Sequence, residues 1–370
     1  MTRIRHLFPG GNTCNGFHSF YEFIVPNQAR LKLVLKGGPG VGKSTLMKKL
    51  GEEFIDLGYR VEFHWCSSDN ESLDAIALPD YDIAVVDGTA PHVVDPRFPG
   101  AVDEIVNLGD FWDKEHLQGN REEIIAATSL NGRYFALAYN RLREAKVIYD
   151  EWASYYEEAL DKRAWQELAN HLIKKLVNAA EKPSKPLARR PCRHLFAAAI
   201  TPNGVVNNIT SLVNTDCRTY LLKGSPGTGT DKLLAVLKTV GECTGLAHEC
   251  YHHPFVPDRI QALIFPEIRM AVVDETPWLT RAELFWPDHR DIRTMHLDEI
   301  VELPLLSPFQ ADIADCQERF ASCLATAVNH LKQAKTVHDQ LESYYTPAMN
   351  IYELEAKREE LKQMILRYYL

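Results

Sequence analysis

Long apolar runs are missing from this chain of 370 residues. Spanning a bilayer takes about 18 consecutive apolar residues. The longest clean runs, such as Leu195-Phe196-Ala197-Ala198-Ala199-Ile200, are strand-sized, so no membrane partner is expected. Met1-Thr2-Arg3-Ile4-Arg5-His6 leads into no apolar h-region, which argues against a secretory signal. Cysteine pairs are missing too. The 8 cysteines, at 14, 66, 192, 217, 243, 250, 316 and 323, form no Cys-x-x-Cys. That pattern suits reduced thiols and a cytoplasmic location better than a disulfide framework. Positive charge is not in excess: 41 Lys and Arg against 50 Asp and Glu leave a net charge of −9. Non-specific nucleic-acid binders carry the opposite balance, so nucleic acid is not an expected partner, a local basic groove aside. What is present, 45% hydrophobic and 25% charged residues, is ordinary globular composition and excludes disorder as the main state.

A repeat of about half the chain organises the sequence. Arg5-His6-Leu7-Phe8 recurs as Arg193-His194-Leu195-Phe196, offset by 188. Lys36-Gly37-Gly38-Pro39-Gly40-Val41-Gly42 recurs as Lys223-Gly224-Ser225-Pro226-Gly227-Thr228-Gly229, and Ala84-Val85-Val86-Asp87 as Ala271-Val272-Val273-Asp274, both offset by 187. Asp103-Glu104-Ile105-Val106 matches Asp298-Glu299-Ile300-Val301 at an offset of 195, which implies an insertion of about eight residues in the second copy. Leu142, Ala145, Lys146, Asp150, Ser154, Tyr155 and Tyr156 recur at an offset of 189. The expected organisation is a first core at 1–120, a first helical arm at 121–180, a Pro-rich linker at 181–190, a second core at 191–308 and a second arm at 309–370. Tandem copies imply a packed intramolecular pseudo-dimer, so a monomeric chain is compatible with the sequence.

Within one copy, Leu31–Lys36, Tyr59–Cys66, Tyr81–Asp87 and Glu104–Leu108 read as strands. Lys43–Leu57 has helical periodicity with Gly58 as its C-terminal stop. Copy two repeats the strands at Thr219–Lys223, Ala247–His253, Met270–Asp274 and Ile300–Leu303. Strands alternating with helices point to an α/β fold with parallel, doubly wound sheets. Each arm carries an apolar seam at steps of three and four: Leu142, Ala145, Tyr149, Trp152, Tyr156, and Leu331, Ala334, His338, Leu341, Tyr345. Thr346-Pro347 breaks the second arm, so Met349–Leu370 is expected to fold back as a helical hairpin, with Asp161 capping the matching turn of the first. The seam is expected to pack within the arm; a contact with a protein partner is the alternative.

Gly37-Gly38-Pro39-Gly40-Val41-Gly42-Lys43-Ser44 fits G-x-x-x-x-G-K-[ST]. Glycines allow the backbone N–H groups to approach phosphate oxygens, and the helix that follows points its positive end at the anion. Lys43 is expected on the β- and γ-phosphates and the Ser44 hydroxyl on Mg²⁺, with Gly37 through Thr45 forming the nucleotide cradle. Asp87 ends a strand beside this loop, where an acid holds Mg²⁺.

On these residues the chain resembles the P-loop NTPases. More narrowly, the tandem arrangement, Cys66-Ser67-Ser68-Asp69, Asp87-Gly88-Thr89-Ala90-Pro91-His92, Pro99-Gly100 and Asp103 through Gly109 resemble an uncharacterised family of bacterial two-copy P-loop ATP-binding proteins, over essentially the whole chain. The resemblance implies ATP and Mg²⁺ as ligands and no particular substrate. The absence of an Asn-Lys-x-Asp guanine motif favours ATP over GTP.

The second loop departs from the pattern. Thr230-Asp231 stand where Lys-Ser belongs, and Lys232 lies one residue too late, about 100° around the helix, to substitute. Copy two is therefore expected to be degenerate. It keeps Asp274-Glu275 where copy one has Asp87-Gly88, so Glu275 is a candidate to act across the pseudo-dimer on ATP in copy one. His92 is a candidate γ-phosphate sensor, near Asp95, and Asp69 a candidate base for an acceptor hydroxyl. Cys243, His248, Cys250, His252 and His253 cluster in sequence, yet no pair has finger-like spacing, and a metal centre is not expected there. The leading functional expectation is an Mg²⁺-dependent ATPase with one competent site and a regulatory or structural second copy. A small-molecule or nucleotide kinase and a nucleotide-gated scaffold without turnover are the alternatives.

Overall fold

The computed structural model describes residues 4–89, 94–181, 192–276, 284, 286 and 291–368. From Lys182 onward the expected linker lies outside these residues.

Copy one is built from β1 (Ile4–Leu7), β2 (Gly10–Thr13), β3 (Gly16–Ser19), β4 (Leu31–Lys36), α1 (Lys43–Asp56), β5 (Val61–Trp65), β6 (Leu73–Leu78), β7 (Ile83–Asp87) and β8 (Asp103–Asn107). Its main sheet has six strands in the order β1-β5-β6-β7-β4-β8. The short α2 (Lys114–Gly119) leads to the arm helices α3 (Arg121–Glu158) and α4 (Lys162–Ala180). Copy two repeats the plan with β9 (Arg193–Phe196), β10 (Ala198–Thr201), β11 (Gly204–Asn207), the one-turn α5 (Ile209–Leu212), β12 (Arg218–Lys223), α6 (Thr230–Thr244), β13 (Glu249–His252), β14 (Ile260–Phe265), β15 (Met270–Asp274) and β16 (Ile292–His296). The one-turn α7 (Leu303–Leu306) then precedes α8 (Gln310–Tyr345) and α9 (Ile351–Arg367). The second sheet has the matching order β9-β13-β14-β15-β12-β16.

The protein is thus mixed α/β, with two six-stranded, mostly parallel sheets. Three expectations are corrected. First, the sheets are not wholly parallel: β6 runs antiparallel to both β5 and β7, and β14 to β13 and β15. Leu73–Leu78 is buried throughout, and its Asp74 hides the strand in an otherwise apolar run. Second, the sheet of copy one is not doubly wound. Leu46, Met47, Leu50 and Phe54 bring α1 onto the face carrying Leu31, Leu33 and Leu35. The other face, with Ala75, Ala77, Ala84 and Val86, is covered by Tyr21, Ile24, Val25 and Ala29 from a short turn-containing segment. Third, the last strand of copy two is Ile292–His296, and Leu297–Ile300 is a 3-10 turn like Leu108–Phe111. Lys32 faces Asp103 and Thr219 faces Ile292, offsets of 187 and 189, so the expected eight-residue insertion shrinks to two residues.

The helix after the first loop ends as its sequence implies. Gly58 has φ +93°, its N–H reaches Ile55 O, and Tyr59 N–H reaches Phe54 O.

The arms do not fold as self-contained hairpins. α3 and α8 pair with each other, antiparallel, as Asn131 against Ala334 and Trp152 against Phe320 show. Ala138, Leu142, Ala145, Tyr149 and Trp152 interlock with Phe320, Cys323, Ala327 and Leu331 in one buried seam. Beyond the seam each chain segment crosses to the other copy. Asp113 N–H bonds Ala348 O and Asn350 N–H bonds Phe111 O; at the matching crossing Asp161 N–H bonds Ile300 O and Glu302 N–H bonds Ala159 O. Asp161 then caps α4 and Asn350 caps α9 through their side chains. α4 packs Leu172 and Leu176 against Leu233, Leu234 and Leu237 of α6. α9 packs Leu361 and Ile365 into the core under α1 and adds the ion pairs Arg358–Glu53 and Lys362–Glu53. Each copy's core is therefore completed by the other copy's arm. Among the described residues no helix is long and apolar enough to cross a membrane.

The sheets meet edge to edge. Phe8 and Phe196 exchange two backbone hydrogen bonds of 3.0 Å about the pseudo-twofold axis. Beside them lie four charges. Arg5 binds Glu62 at 2.9 Å and Glu249 at 2.5 Å, and Arg193 binds Glu62 at 2.6 Å. Burial alone would raise the Glu62 carboxyl, but Arg193 and Arg5 outweigh it and hold it well below the usual range. Removing one partner of a buried cluster strands the others. Glu62→Ala is expected to cost about 3–5 kcal/mol in urea unfolding. Glu167→Ala, in an exposed pair on α4, should change little. A loss at Glu62 no larger than at Glu167 contradicts the account.

Candidate functional site

β4 delivers the chain to Gly37, and α1 starts at Lys43. Between them Gly40 (φ +67°) and Gly42 (φ +84°) take left-handed conformations that side chains resist. The Lys43 ammonium is buried and folds back on its own loop, donating to Gly37 O at 3.0 Å and Gly38 O at 2.7 Å. Asp87 Oδ2 lies 3.6 Å away at the end of β7. Burial lowers the Lys43 pKa, and Asp87 opposes that shift. Ser44 Oγ accepts from Leu73 N–H at 3.0 Å, which ties the loop to β6. Asp87 Oδ1 accepts from Thr89 N–H.

Asp69 is nearly buried and fully engaged. It accepts from Glu71 N–H and from the Ser72 hydroxyl, and it pairs with Lys335 of α8 at 3.5 Å. It therefore holds a turn and touches the exchanged arm. His92 lies outside the described residues. Its neighbour Asp95 binds Lys36 at 3.0 Å, on the opposite side of β4 from the α1 core. Cys66 is buried, which pushes its thiol well above the usual range and makes it inert.

Glu275 is not at the first loop. It is buried in its own core, 3.6 Å from Lys223 and accepting from Trp286 Nε1. The acid that the other copy does bring is Glu342. Its backbone packs on Gly40 so closely that a Cβ on that glycine would fall 2.9 Å from Glu342 Cα and O. Tyr345 covers Gly38, and Leu354 of α9 covers Gly42. His338 beside Glu342, 3.4 Å away, keeps its carboxyl below the usual range. The matching residue in the first arm is Ala153, so this carboxylate exists on one side only. That mismatch within the repeat was the one signal in the sequence for Glu342.

A second acid escaped sequence reading. Asp74 is buried on β6 with Asp87 and Asp69 nearby. Burial, reinforced by Asp87, pushes its carboxyl up to about 7, against the Tyr21 hydroxyl that favours its ionised form.

The second loop keeps the shape without the lysine. Gly227 and Gly229 retain positive φ. Thr230 fills the place of Lys43 and donates to Asp274 Oδ2 at 3.0 Å, while Thr276 satisfies the other oxygen. Burial raises Asp274 to about 6, a carboxyl closed into its own network. Asp231 turns to Arg259 at 3.3 Å, and Lys232 pairs with Glu157 of the first arm instead of returning to the loop. Ala153 O and Trp165 press on Gly227 and Gly229, and Trp165 Nε1 donates to Gly229 O.

Comparison of the chain with family models, with curated proteins and with solved structures finds no match.

Asp74 supplies a test of the site's electrostatics. In the fold it keeps its proton until about pH 7; in the unfolded chain it loses it near pH 4. The unfolded state thus binds fewer protons across that window, and stability falls as pH rises through it. Asp74→Asn should remove this fall. Urea midpoints from pH 4.5 to 8 are expected to show the variant gaining on wild type as pH rises, with the gap level above pH 7. A gap independent of pH contradicts the assignment.

Proposed function

We propose that the chain is an Mg²⁺-dependent ATP-binding protein with one competent nucleotide site, at Gly37–Thr45, that hydrolyses ATP and reports its occupancy to the exchanged arm. The observation that carries this reading is Lys43: a buried ammonium at a helix N-terminus, resting on its own loop carbonyls beside Asp87. A cation held this way has no apolar role, and phosphate oxygens are its natural acceptors. The donor set also fits Mg²⁺, since Ser44 and Asp87 offer hard oxygen ligands. When bound, the metal would neutralise phosphate charge. Ser44 would release Leu73 N–H, and Lys43 would leave the Gly37 and Gly38 carbonyls.

The same loop is covered by Tyr345, Glu342 and Leu354. A triphosphate entering it displaces these groups, so nucleotide binding shifts α8 and α9 relative to the first core. Glu342, ionised and supplied by the other copy, is the acid this reading assigns to the attacking water in place of Glu275. The second copy, with its loop closed by Thr230 and Asp274, anchors the fixed end of the arms.

Purified wild type and Lys43→Ala are to be compared for Mg²⁺-ATP binding and phosphate release. Wild type is expected to bind about one ATP per chain. Loss of a charged hydrogen-bond donor should weaken binding about 10- to 100-fold in the variant and abolish release. Two tight nucleotides per chain, or equal binding by both proteins, refutes the reading. Binding without release in wild type removes the hydrolase assignment and leaves a nucleotide-gated scaffold or a kinase awaiting its acceptor. Glu342→Gln is expected to keep ATP binding and slow release at least tenfold; unchanged release takes Glu342 out of the chemistry.

A further inference from the structure

The second sheet carries a side-chain cluster that the nucleotide reading does not use. β9 and β13 are adjacent parallel strands in which His194 sits opposite Cys250. Alternation along a strand puts Cys192 and His194 on one face, and Cys250 and His252 on the same face of the next. The His194 Nδ1, Cys250 Sγ and His252 Nε2 atoms all lie within 4.8 Å of one another. His194 Nδ1 is 2.8 Å from His252 Nε2, and Cys250 Sγ is 3.8 Å from that same nitrogen. Cys192 precedes β9, two residues before His194 and so on the same face, which makes it the nearest candidate for a fourth ligand. Tetrahedral zinc with two sulfur and two nitrogen ligands sets its donor atoms about 3.3–3.8 Å apart.

From this geometry we propose that Cys192, His194, Cys250 and His252 form a structural zinc site at the junction of the two copies. Two Cys-x-His pairs on neighbouring strands replace the finger-like spacing that sequence reading looked for. Two thiolates and two neutral imidazoles cancel the charge of the dication, as a half-buried site requires. The supporting contacts are those of a metal site. His252 Nδ1 donates to Pro257 O at 2.6 Å, which fixes the tautomer and leaves the Nε2 lone pair facing the cluster. His248, 5% exposed, stands beside Cys192 with its Nε2 lacking a hydrogen-bond partner. Phe20 of copy one packs tilted against His252 at 4.4 Å and Phe23 edge-on against His194 at 4.9 Å, so a bound ion would tie the first copy's amino-terminal segment to the second sheet.

The other copy supplies the contrast. At the four matching positions copy one has Ile4, His6, Phe63 and Trp65. There Trp65 Nε1 donates to His6 Nδ1 at 2.9 Å and Phe63 stacks on the imidazole. The fold itself therefore asks for no thiol or second histidine at this edge.

The test uses untagged full-length protein, purified under reducing conditions without chelator. Metal analysis is expected to give about one zinc per chain. After zinc is stripped, Co²⁺ titration should produce a thiolate-to-cobalt charge-transfer band and the strong visible absorption of tetrahedral cobalt, saturating at one equivalent. Cys250→Ser and His252→Ala should each lose at least nine-tenths of the bound metal, and Cys243→Ser, an exposed cysteine outside the cluster, should lose none. The wild-type spectrum stands whether or not the variants fold. Wild type without tetrahedral cobalt absorption, metal content unchanged in Cys250→Ser, or a Cys192–Cys250 disulfide in metal-free native protein overturns the proposal.

Discussion

A helix from one copy rests backbone to backbone on the glycine-rich loop of the other, and the rest of the molecule is arranged around that contact. Gly40 and Gly227 admit it, because a Cβ on either would collide with main-chain atoms of Glu342 or Ala153. To reach those loops the two arms must cross. The crossing is fixed by the α3–α8 seam and by four backbone hydrogen bonds where the chain leaves each core. Neither copy can then keep its own hydrophobic surface covered alone. Leu361 and Ile365 belong to the core of copy one, while Leu172 and Leu176 belong to that of copy two. The buried Arg5–Glu62–Arg193–Glu249 cluster locks the same arrangement from the opposite end of the interface.

On this near-symmetric frame the chemistry is divided. Lys43 in one loop becomes Thr230 in the other, and Glu342 on one arm becomes Ala153 on the other. One side collects an ammonium and an ionised acid around a loop. The other closes its Asp274 with two threonine hydroxyls. At the matching sheet edge Cys192, Cys250 and His252 of the second copy stand where the first has Ile4, Phe63 and Trp65, while the histidine pair His194 and His6 is kept.

Local features were legible in the sequence. The turn from β4 into α1, the stop at Gly58 and the caps at Asp161 all follow from short-range residue chemistry. So did the failure of Lys232 to replace the missing lysine, which is a matter of helical angle. Non-local features were not legible. The seam periodicity of Leu142, Ala145, Tyr149 and Trp152 is satisfied equally by a hairpin partner or by the other arm, and only the tertiary crossing decides. Asp74 masked a buried antiparallel strand. Glu342 sits three hundred residues from the loop it covers, so no motif joins them. The Cys and His side chains of that cluster fell on two strands whose adjacency the parallel register sets, which no spacing rule along one segment can reveal.

Under the proposed reading, occupancy of one loop moves the other copy's arm. Amide hydrogen exchange with and without Mg²⁺-ATP tests it directly. The account predicts changed exchange in Gly37–Ser44 and in the arm from Glu342 to Leu354, with Gly224–Asp231 and Ala153–Trp165 unaltered. Equal change at both loops, or none at either, would contradict it.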